Sequence, residues 1–145
     1  MGLVDKCREI AEKAHKGQKR KFGADRNKPY IVHPERVAAR FPNDEALAAI
    51  AWLHDVAEDT SVGVDGILCN QELPMAVSHA VVDLTRRLNE TYFDFILRIA
   101  NSPMAAPVKM ADLEDNMVSL EEGSLKDKYR FALDFLKKAG YSIGG

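Results

Sequence analysis

The segment WLHDVAEDT, residues 52–60, places one histidine and three carboxylates directly after an apolar stretch. In a continuous α-helix, residues four apart share a face, so His54 would lie over Glu58 and Asp55 over Asp59. An unpaired carboxylate is costly to bury, whereas a divalent cation beside it makes burial favourable. We therefore expect a metal at this edge. The alternative is a solvated helix end with a hydrogen-bonded histidine in the core.

Two residues elsewhere in the chain favour the metal. His33 precedes a proline that suits the first turn of a short helix, and Asp112 lies in a helical pattern with apolar neighbours. Together with His54 and Asp55 they supply two imidazoles and two carboxylates, which suit manganese, iron or zinc better than calcium. A water acidified by such a cation is a nucleophile for phosphoryl chemistry.

A basic segment could supply contacts to an anionic substrate. Residues 17–29, here called the basic loop, contain five basic residues, two glycines and no helical period. So long a loop in a compact domain is unusual enough to suggest a functional role. The alternative is a solvated loop without a ligand.

Helical periodicity covers most of the remaining chain. The most apolar pattern, about 45–57, should be a central, buried helix capped by Asn43 or Asp44. No stretch alternates convincingly as a strand, so the fold class is all-α, a single helical bundle around residues 45–57. The other predicted helices end at glycine, proline or polar breaks, and they cover about 3–16, 34–41, 64–70, 74–86, 91–100, 104–120 and 124–138.

Composition and charge limit the classes of partner. The chain has 145 residues, 46% of them hydrophobic, and we expect one domain over residues 1–145. Twenty basic and twenty-two acidic residues give a formal charge of −2, which argues against a nucleic-acid polymer or a membrane as partner. No segment has the roughly twenty apolar residues of a membrane span. We expect a cytoplasmic protein with two buried thiols, Cys7 and Cys69, and leave a homo-oligomer open.

Several single residues have less distinctive surroundings. His15 is expected at the C-terminus of the first helix, where an imidazole favours the helix dipole, although it could approach the site. Trp52 is expected in the core. Lys109 and Arg86 could each reach a phosphate or be an ordinary surface charge.

The order of the motifs resembles a known family. AHKGQKRKFG, KPYIVHPERVA, AAIAWLHDVAEDT, LTRR and VKMADLEDNM resemble the HD-domain metal-dependent phosphohydrolases, and among them the hydrolase domain of the RelA/SpoT alarmone enzymes and the small alarmone hydrolases. The likeness runs from about residue 11 to residue 120. It implies a helical HD fold in which Mn²⁺ is held by His33, His54, Asp55 and Asp112.

The resemblance also implies roles around the metal. Glu58 and Asp59 would position or activate the attacking water, and Asn116 would help to shape the site. Arg20 would pack against the nucleotide base, with Lys19 and Lys21 near phosphates.

Two features depart from the family pattern. The segment DLEDN carries Glu114 and Asp115 where the family usually has a basic or small residue before the asparagine. These acidic groups could weaken polyphosphate binding or point to solvent. The loop FGADRNKPY is longer than usual, which could reshape the base pocket.

The implied activity is removal of the 3′-pyrophosphate from guanosine tetra- or pentaphosphate, giving GDP or GTP and pyrophosphate. One alternative keeps the hydrolase and changes the substrate to another phosphorylated nucleotide, such as NADPH with its 2′-phosphate or a nucleoside triphosphate. Another is a module that binds the alarmone without hydrolysing it. A purely structural helical adaptor leaves the clustered polar residues unexplained.

Overall fold

The regular elements of the computed structural model, which describes residues 1–144, are helices. One isolated bridge, Lys19 to Pro29, is the extended pairing within that range. The all-α prediction is confirmed. The helices are α1 (Leu3–Ala14), α2 (Val32–Ala38), α3 (Glu45–Leu53), α4 (Val56–Asp59), α5 (Gly63–Leu68), α6 (Met75–Asp83), α7 (Tyr92–Ile99), α8 (Ala105–Ser119) and α9 (Ser124–Lys138).

Helix α3 is the centre of the bundle, as its apolar sequence predicts. Its N-terminus is capped by Asp44, whose carboxylate accepts from the Leu47 N–H at 3.0 Å. The residues from Ala48 to Leu53 are buried, and the helix packs against α1, α2, α6 and α8. Trp52 is buried in this core, as predicted.

The prediction of one helix through residue 57 is wrong, because the chain turns at His54 and Asp55. The His54 imidazole donates to the Ala51 carbonyl at 2.6 Å, and a continuing helix would use that carbonyl for the Asp55 N–H. The short helix α4 then begins at Val56. The break sets two polar side chains at a turn inside the core.

The basic loop makes hydrogen bonds within its own backbone and contacts α8. Arg20 N–H donates to the Lys28 carbonyl at 2.8 Å, and Tyr30 N–H donates to the Gln18 carbonyl at 2.8 Å. A 3₁₀ turn spans Gly23–Asp25. Gly23 has a φ of 70°, and an added Cβ there would overlap the carbonyl oxygen of Ser119. A glycine is therefore required where the loop meets the end of α8.

The cysteine prediction is correct for one residue only. Cys7 is fully buried, and burial raises the pKa of its thiol to about 11. Cys69 is exposed, because it follows the C-terminus of the short surface helix α5. Within residues 1–144, the helices are too short or too polar to cross a membrane.

Candidate active site

Four side chains from two helices and one turn meet inside the bundle. His33 lies on α2, Asp112 on α8, and His54 and Asp55 form the turn after α3. One donor atom from each lies within 4.8 Å of the other three. The two histidines and Asp112 are buried, and Asp55 is half-buried. We call these four residues the His–Asp cluster.

Hydrogen bonds at the outer nitrogens determine which atom each imidazole presents to the cluster. His54 Nδ1 contacts a backbone carbonyl, which can only accept, so Nδ1 carries the hydrogen. His33 Nδ1 donates to the Asp115 carboxylate at 2.6 Å. In the neutral form of each ring, Nε2 therefore carries a lone pair. The two Nε2 atoms face each other at 3.2 Å.

The spacing of the donors fits a divalent cation. His33 Nε2 lies 2.8 Å from Asp112 Oδ1, and His54 Nε2 lies 3.0 Å from Asp55 Oδ2. The other two histidine to aspartate separations are 3.6 and 3.4 Å. Ligands at right angles around a cation with bonds of about 2.1 Å lie about 3 Å apart. Two imidazole nitrogens and two carboxylate oxygens at this spacing suit a transition metal.

The electrostatics of the cluster favour positive charge between its carboxylates. Burial lowers the pKa of His54, but Asp55 and Asp112 outweigh burial and hold that pKa well above its usual value. Burial also opposes ionisation of Asp112, yet Lys109 and the two imidazoles hold its pKa well below the usual range. A cation that binds here displaces protons from the imidazoles.

Three further side chains orient the two carboxylates. The Tyr30 hydroxyl donates to Asp55 Oδ2 at 2.6 Å. Burial and the charge of Asp55 raise the pKa of Tyr30, so the hydroxyl keeps its hydrogen. Lys109 Nζ donates to Asp112 Oδ2 at 2.9 Å, and Asn116 Nδ2 donates to Asp112 Oδ1 at 3.1 Å. Lys109 is therefore not an ordinary surface charge, because it forms an ion pair with Asp112 of the cluster.

The basic loop borders a cavity of about 470 Å³, here called the loop pocket. Arg20 donates to Asn116 Oδ1 at 2.9 Å, and its guanidinium carbon lies 5.6 Å from the centre of the Tyr30 ring. Lys19 and Lys21 also line this cavity. The predicted basic and amide residues are thus brought together beside the cluster.

A second cavity of about 270 Å³ adjoins the first, and three cationic side chains line it. We call it the cationic pocket; it is lined by Arg86, Lys109 and Lys128, with His54, Asp55 and Asp112 of the cluster at its wall. Burial lowers the pKa of Lys128, and Arg86 and Lys109 lower it further by repulsion. Cations that repel one another around a cavity favour an anionic ligand.

Glu58 and Asp59 follow the cluster on α4 but line different cavities. Glu58 lines the cationic pocket, and its carboxylate accepts a hydrogen bond from the backbone N–H of Arg86 at 3.1 Å. Asp59 lines the loop pocket, and burial together with Asp55 and Glu58 raises its pKa to about 6. The two carboxylates do not share the single helical edge that a continuous helix would give.

The acidic residues of DLEDN have protein partners. Asp115 accepts from His33 Nδ1 and from Arg36 Nε, the latter at 2.7 Å, so the prediction that it points to solvent is wrong. Weaker polyphosphate binding stays a prediction. Burial opposes the ionisation of Asp115, but these two partners lower its pKa to about 2. Glu114 lies near the surface, 3.3 Å from the Arg40 guanidinium.

Some site residues had only a weak signal in the sequence. Lys109, Asp112 and Asn116 recur at the three-and-four spacing of one helix face, and Tyr30 precedes His33 by three residues. Polar residues in that register along an apolar helix indicate one buried polar stripe. Lys128 on α9 has no comparable neighbour pattern, because its place in the cationic pocket depends on how α9 packs.

His15 lies at the end of α1, as predicted, and is buried. Its Nδ1 contacts Gln18 Oε1 at 2.8 Å, and its ring lies 4.8 Å from that of Tyr30. The imidazole therefore supports the tyrosine that contacts the cluster, although it contributes no donor atom to it.

Comparison with known proteins identifies relatives over most of the chain. A "GTP pyrophosphokinase" of Streptomyces antibioticus is 29% identical over 157 aligned positions, covering 97% of this chain and 18% of the relative. A "guanosine-3′,5′-bis(diphosphate) 3′-pyrophosphohydrolase" of Borreliella burgdorferi is 31% identical over 145 positions, covering 92% and 21%. The chain spans about a fifth of the length of these curated relatives. No family model matches it.

A solved structure shares the fold. It is described as a metazoan ortholog of SpoT that hydrolyses ppGpp and plays a role in starvation responses. The TM-score is 0.71 at 24% identity, covering 96% of this chain and 84% of the other. Over most of its length this chain is therefore similar to RelA/SpoT-type proteins. These relatives carry the names of both a pyrophosphokinase and a pyrophosphohydrolase, so the names alone do not assign a reaction to this chain.

Proposed function

We propose that this chain hydrolyses guanosine-3′,5′-bis(diphosphate), and the related pentaphosphate, at the 3′ position to give GDP or GTP and pyrophosphate. The observation that carries the proposal is the position of the His–Asp cluster beside two adjoining cavities. One cavity offers Arg20 for a base, and the other offers Arg86 and Lys128 for a pyrophosphate. The pyrophosphohydrolase name of the Borreliella burgdorferi relative supports this assignment.

The loop pocket is proposed to bind the nucleoside end of the substrate. Arg20 would stack on the guanine base, because its guanidinium already lies near Tyr30 and is oriented by Asn116. Lys19 and Lys21 would neutralise the 5′-phosphates, since both line the same cavity.

The cluster is proposed to hold a divalent cation, which we take to be Mn²⁺. His33 and His54 would each contribute Nε2, and Asp55 and Asp112 would each contribute a carboxylate oxygen. When bound, such a cation polarises a phosphate oxygen and acidifies a water molecule. Tyr30 and Lys109 keep the two carboxylates ionised and oriented for this role.

In the proposed reaction, water attacks the phosphorus attached to ribose O3′, and the bond from that phosphorus to O3′ breaks. Asp59 accepts the proton from the water, because its raised pKa of about 6 still leaves it largely ionised at neutral pH. Glu58, which lines the cationic pocket, positions the same water molecule. Arg86 and Lys128 neutralise the pyrophosphate as it is transferred to water, and the departing O3′ takes up a proton to become a hydroxyl.

The proposed setting follows from a small diffusible substrate. We propose that residues 1–145 act as one domain in the cytoplasm on a free nucleotide, rather than on a nucleic-acid polymer or at a membrane. A homo-oligomer is compatible with this proposal.

A substrate panel tests the proposed specificity. The chain would be incubated with Mn²⁺ and guanosine tetraphosphate, NADPH or GTP, and products would be separated by anion exchange. The proposal predicts the highest kcat/KM for guanosine tetraphosphate, with GDP and pyrophosphate as products. Turnover of NADPH or GTP alone would replace it with another nucleotide hydrolase. Tight binding of the tetraphosphate without turnover would establish a binding module instead.

A further inference from the structure

His33 Nδ1 takes part in a series of hydrogen-bonded side chains whose charges alternate, here called the row. His33 Nδ1 donates to Asp115 Oδ2 at 2.6 Å. Arg36 grips the same carboxylate with two donors, Nε to Oδ1 at 2.7 Å and Nη2 to Oδ2 at 3.0 Å. The Arg36 guanidinium also donates to Asp25 of the basic loop, which Lys28 contacts as well. The row joins the loop to a member of the His–Asp cluster.

The geometry leaves Asp115 no role as a direct substrate contact. Both of its oxygens are engaged by Arg36, and one of them also accepts from the imidazole. Its side chain is 14% exposed. A two-point grip by a planar guanidinium fixes the orientation of a carboxylate as well as its charge.

The two imidazoles of the cluster are supported unequally. His54 Nδ1 donates to a neutral backbone carbonyl, that of Ala51, whereas His33 Nδ1 donates to an ionised carboxylate. A carboxylate partner holds the imidazole in one tautomer and fixes the plane of its ring. It also makes the opposite nitrogen a stronger electron-pair donor to a metal ion. His33 is therefore the imidazole whose donor strength depends on a replaceable side chain.

We propose that Asp115, clamped by Arg36, is a positioning residue that orients His33 and strengthens its Nε2 as a donor, and so sets the affinity of the His–Asp cluster for its cation. This inference rests on the metal site of the proposed function. It assigns a structural purpose to the acidic residue three positions after Asp112.

The test is Mn²⁺ binding by the full chain, with the free ion measured by electron paramagnetic resonance. Asp115→Ala removes the acceptor, and Asp115→Asn keeps an acceptor without the charge. Glu114→Gln is the matched control, because Glu114 is the adjacent carboxylate on α8 and pairs with Arg40 near the surface. Circular dichroism and thermal unfolding without Mn²⁺ establish that each variant is folded.

The expected result is a rise of about tenfold or more in the Kd for Mn²⁺ in Asp115→Ala. Asp115→Asn should recover part of that loss, and Glu114→Gln should match the unmodified chain. A folded Asp115→Ala variant that binds Mn²⁺ as tightly as the unmodified chain would overturn the inference while leaving the metal site intact. Absence of Mn²⁺ binding by the unmodified chain would overturn the metal site and this inference together.

Discussion

The Tyr30 hydroxyl donates a 2.6 Å hydrogen bond to Asp55 Oδ2, the oxygen that lies 3.0 Å from His54 Nε2. Tyr30 also stands under the Arg20 guanidinium, so one side chain contacts both the His–Asp cluster and the proposed base-binding arginine. The ring and the hydroxyl of Tyr30 therefore serve two parts of the site that can be separated by mutation.

Tyr30→Phe should weaken cation binding while preserving the ring under Arg20. Loss of the hydroxyl leaves Asp55 without its neutral donor, and we expect the Kd for Mn²⁺ to rise about three- to tenfold, the range of one lost hydrogen bond. Tyr141→Phe is the matched control, since the Tyr141 hydroxyl donates to the Ala100 carbonyl instead. Equal Mn²⁺ affinities in the two variants would contradict the role of Tyr30.

Arg20→Ala should raise the KM for guanosine tetraphosphate by about tenfold or more and change kcat little, because a stacked, charged contact made in the ground state contributes uniform binding. Arg26→Ala is the control, since Arg26 is an exposed arginine of the same loop. Steady-state kinetics with saturating Mn²⁺ would provide both constants. A fall in kcat with unchanged KM would place Arg20 at the reacting phosphate instead of the base.

Asp59→Asn should reduce kcat by roughly a hundredfold or more, the usual scale for loss of a general base. Mn²⁺ binding should persist, because Asp59 is not one of the four clustered donors. Asp65→Asn, an exposed aspartate on α5, provides the comparison. If Asp59→Asn retained full turnover, another group would have to accept the proton.

Glu90→Gln should destabilise the fold in a pH-dependent manner. Hydrogen bonds from the Arg98 side chain and, to a smaller extent, from the backbone N–H of Arg87 lower the pKa of Glu90 from 4.5 to about 2. Because the pKa of Glu90 is lower in the folded state, its ionised form stabilises the fold at any pH above the pKa of the unfolded chain. That stabilisation is lost as the pH falls toward the pKa of the folded state. The variant should be about 1.5 kcal/mol less stable near pH 7, the lower end of the range for hydrogen bonds to a charged group.

Urea unfolding from pH 7 down to pH 2 checks the Glu90 prediction. The difference in unfolding free energy between the two proteins should narrow as pH falls from about 4.5 to about 2. Asp94→Asn is a control on the neighbouring helix α7, because Asp94 is exposed. A difference that stays constant over this range would mean that the charge of Glu90 contributes nothing to stability.

Helix positions were predictable where a pattern was long and its ends carried clear signals. Helix α9 has the predicted bounds, Ser124–Lys138, because its apolar stripe is regular and Gly123 precedes it. The end of α3 was not predictable from periodicity. The apolar pattern continues past His54, and the break depends on an imidazole bond to the Ala51 carbonyl that propensity does not describe.

The four donors of the cluster could be named from the sequence because histidines and carboxylates are expensive to bury without a partner. The residues behind them could not. Asp115 reads as a solvated charge on α8, and its pairing with Arg36 requires α2 to pack against α8. Long-range contacts of this kind depend on tertiary packing rather than on local spacing.

The most direct test of the account is Mn²⁺-dependent release of pyrophosphate from guanosine tetraphosphate by metal-stripped protein. The unmodified chain should form GDP and pyrophosphate only after Mn²⁺ is added, and Asp55→Ala should form neither. Asp134→Ala, an exposed aspartate on α9, should behave as the unmodified chain. Equal turnover without Mn²⁺, or by Asp55→Ala, would contradict the proposal that the His–Asp cluster is the catalytic centre.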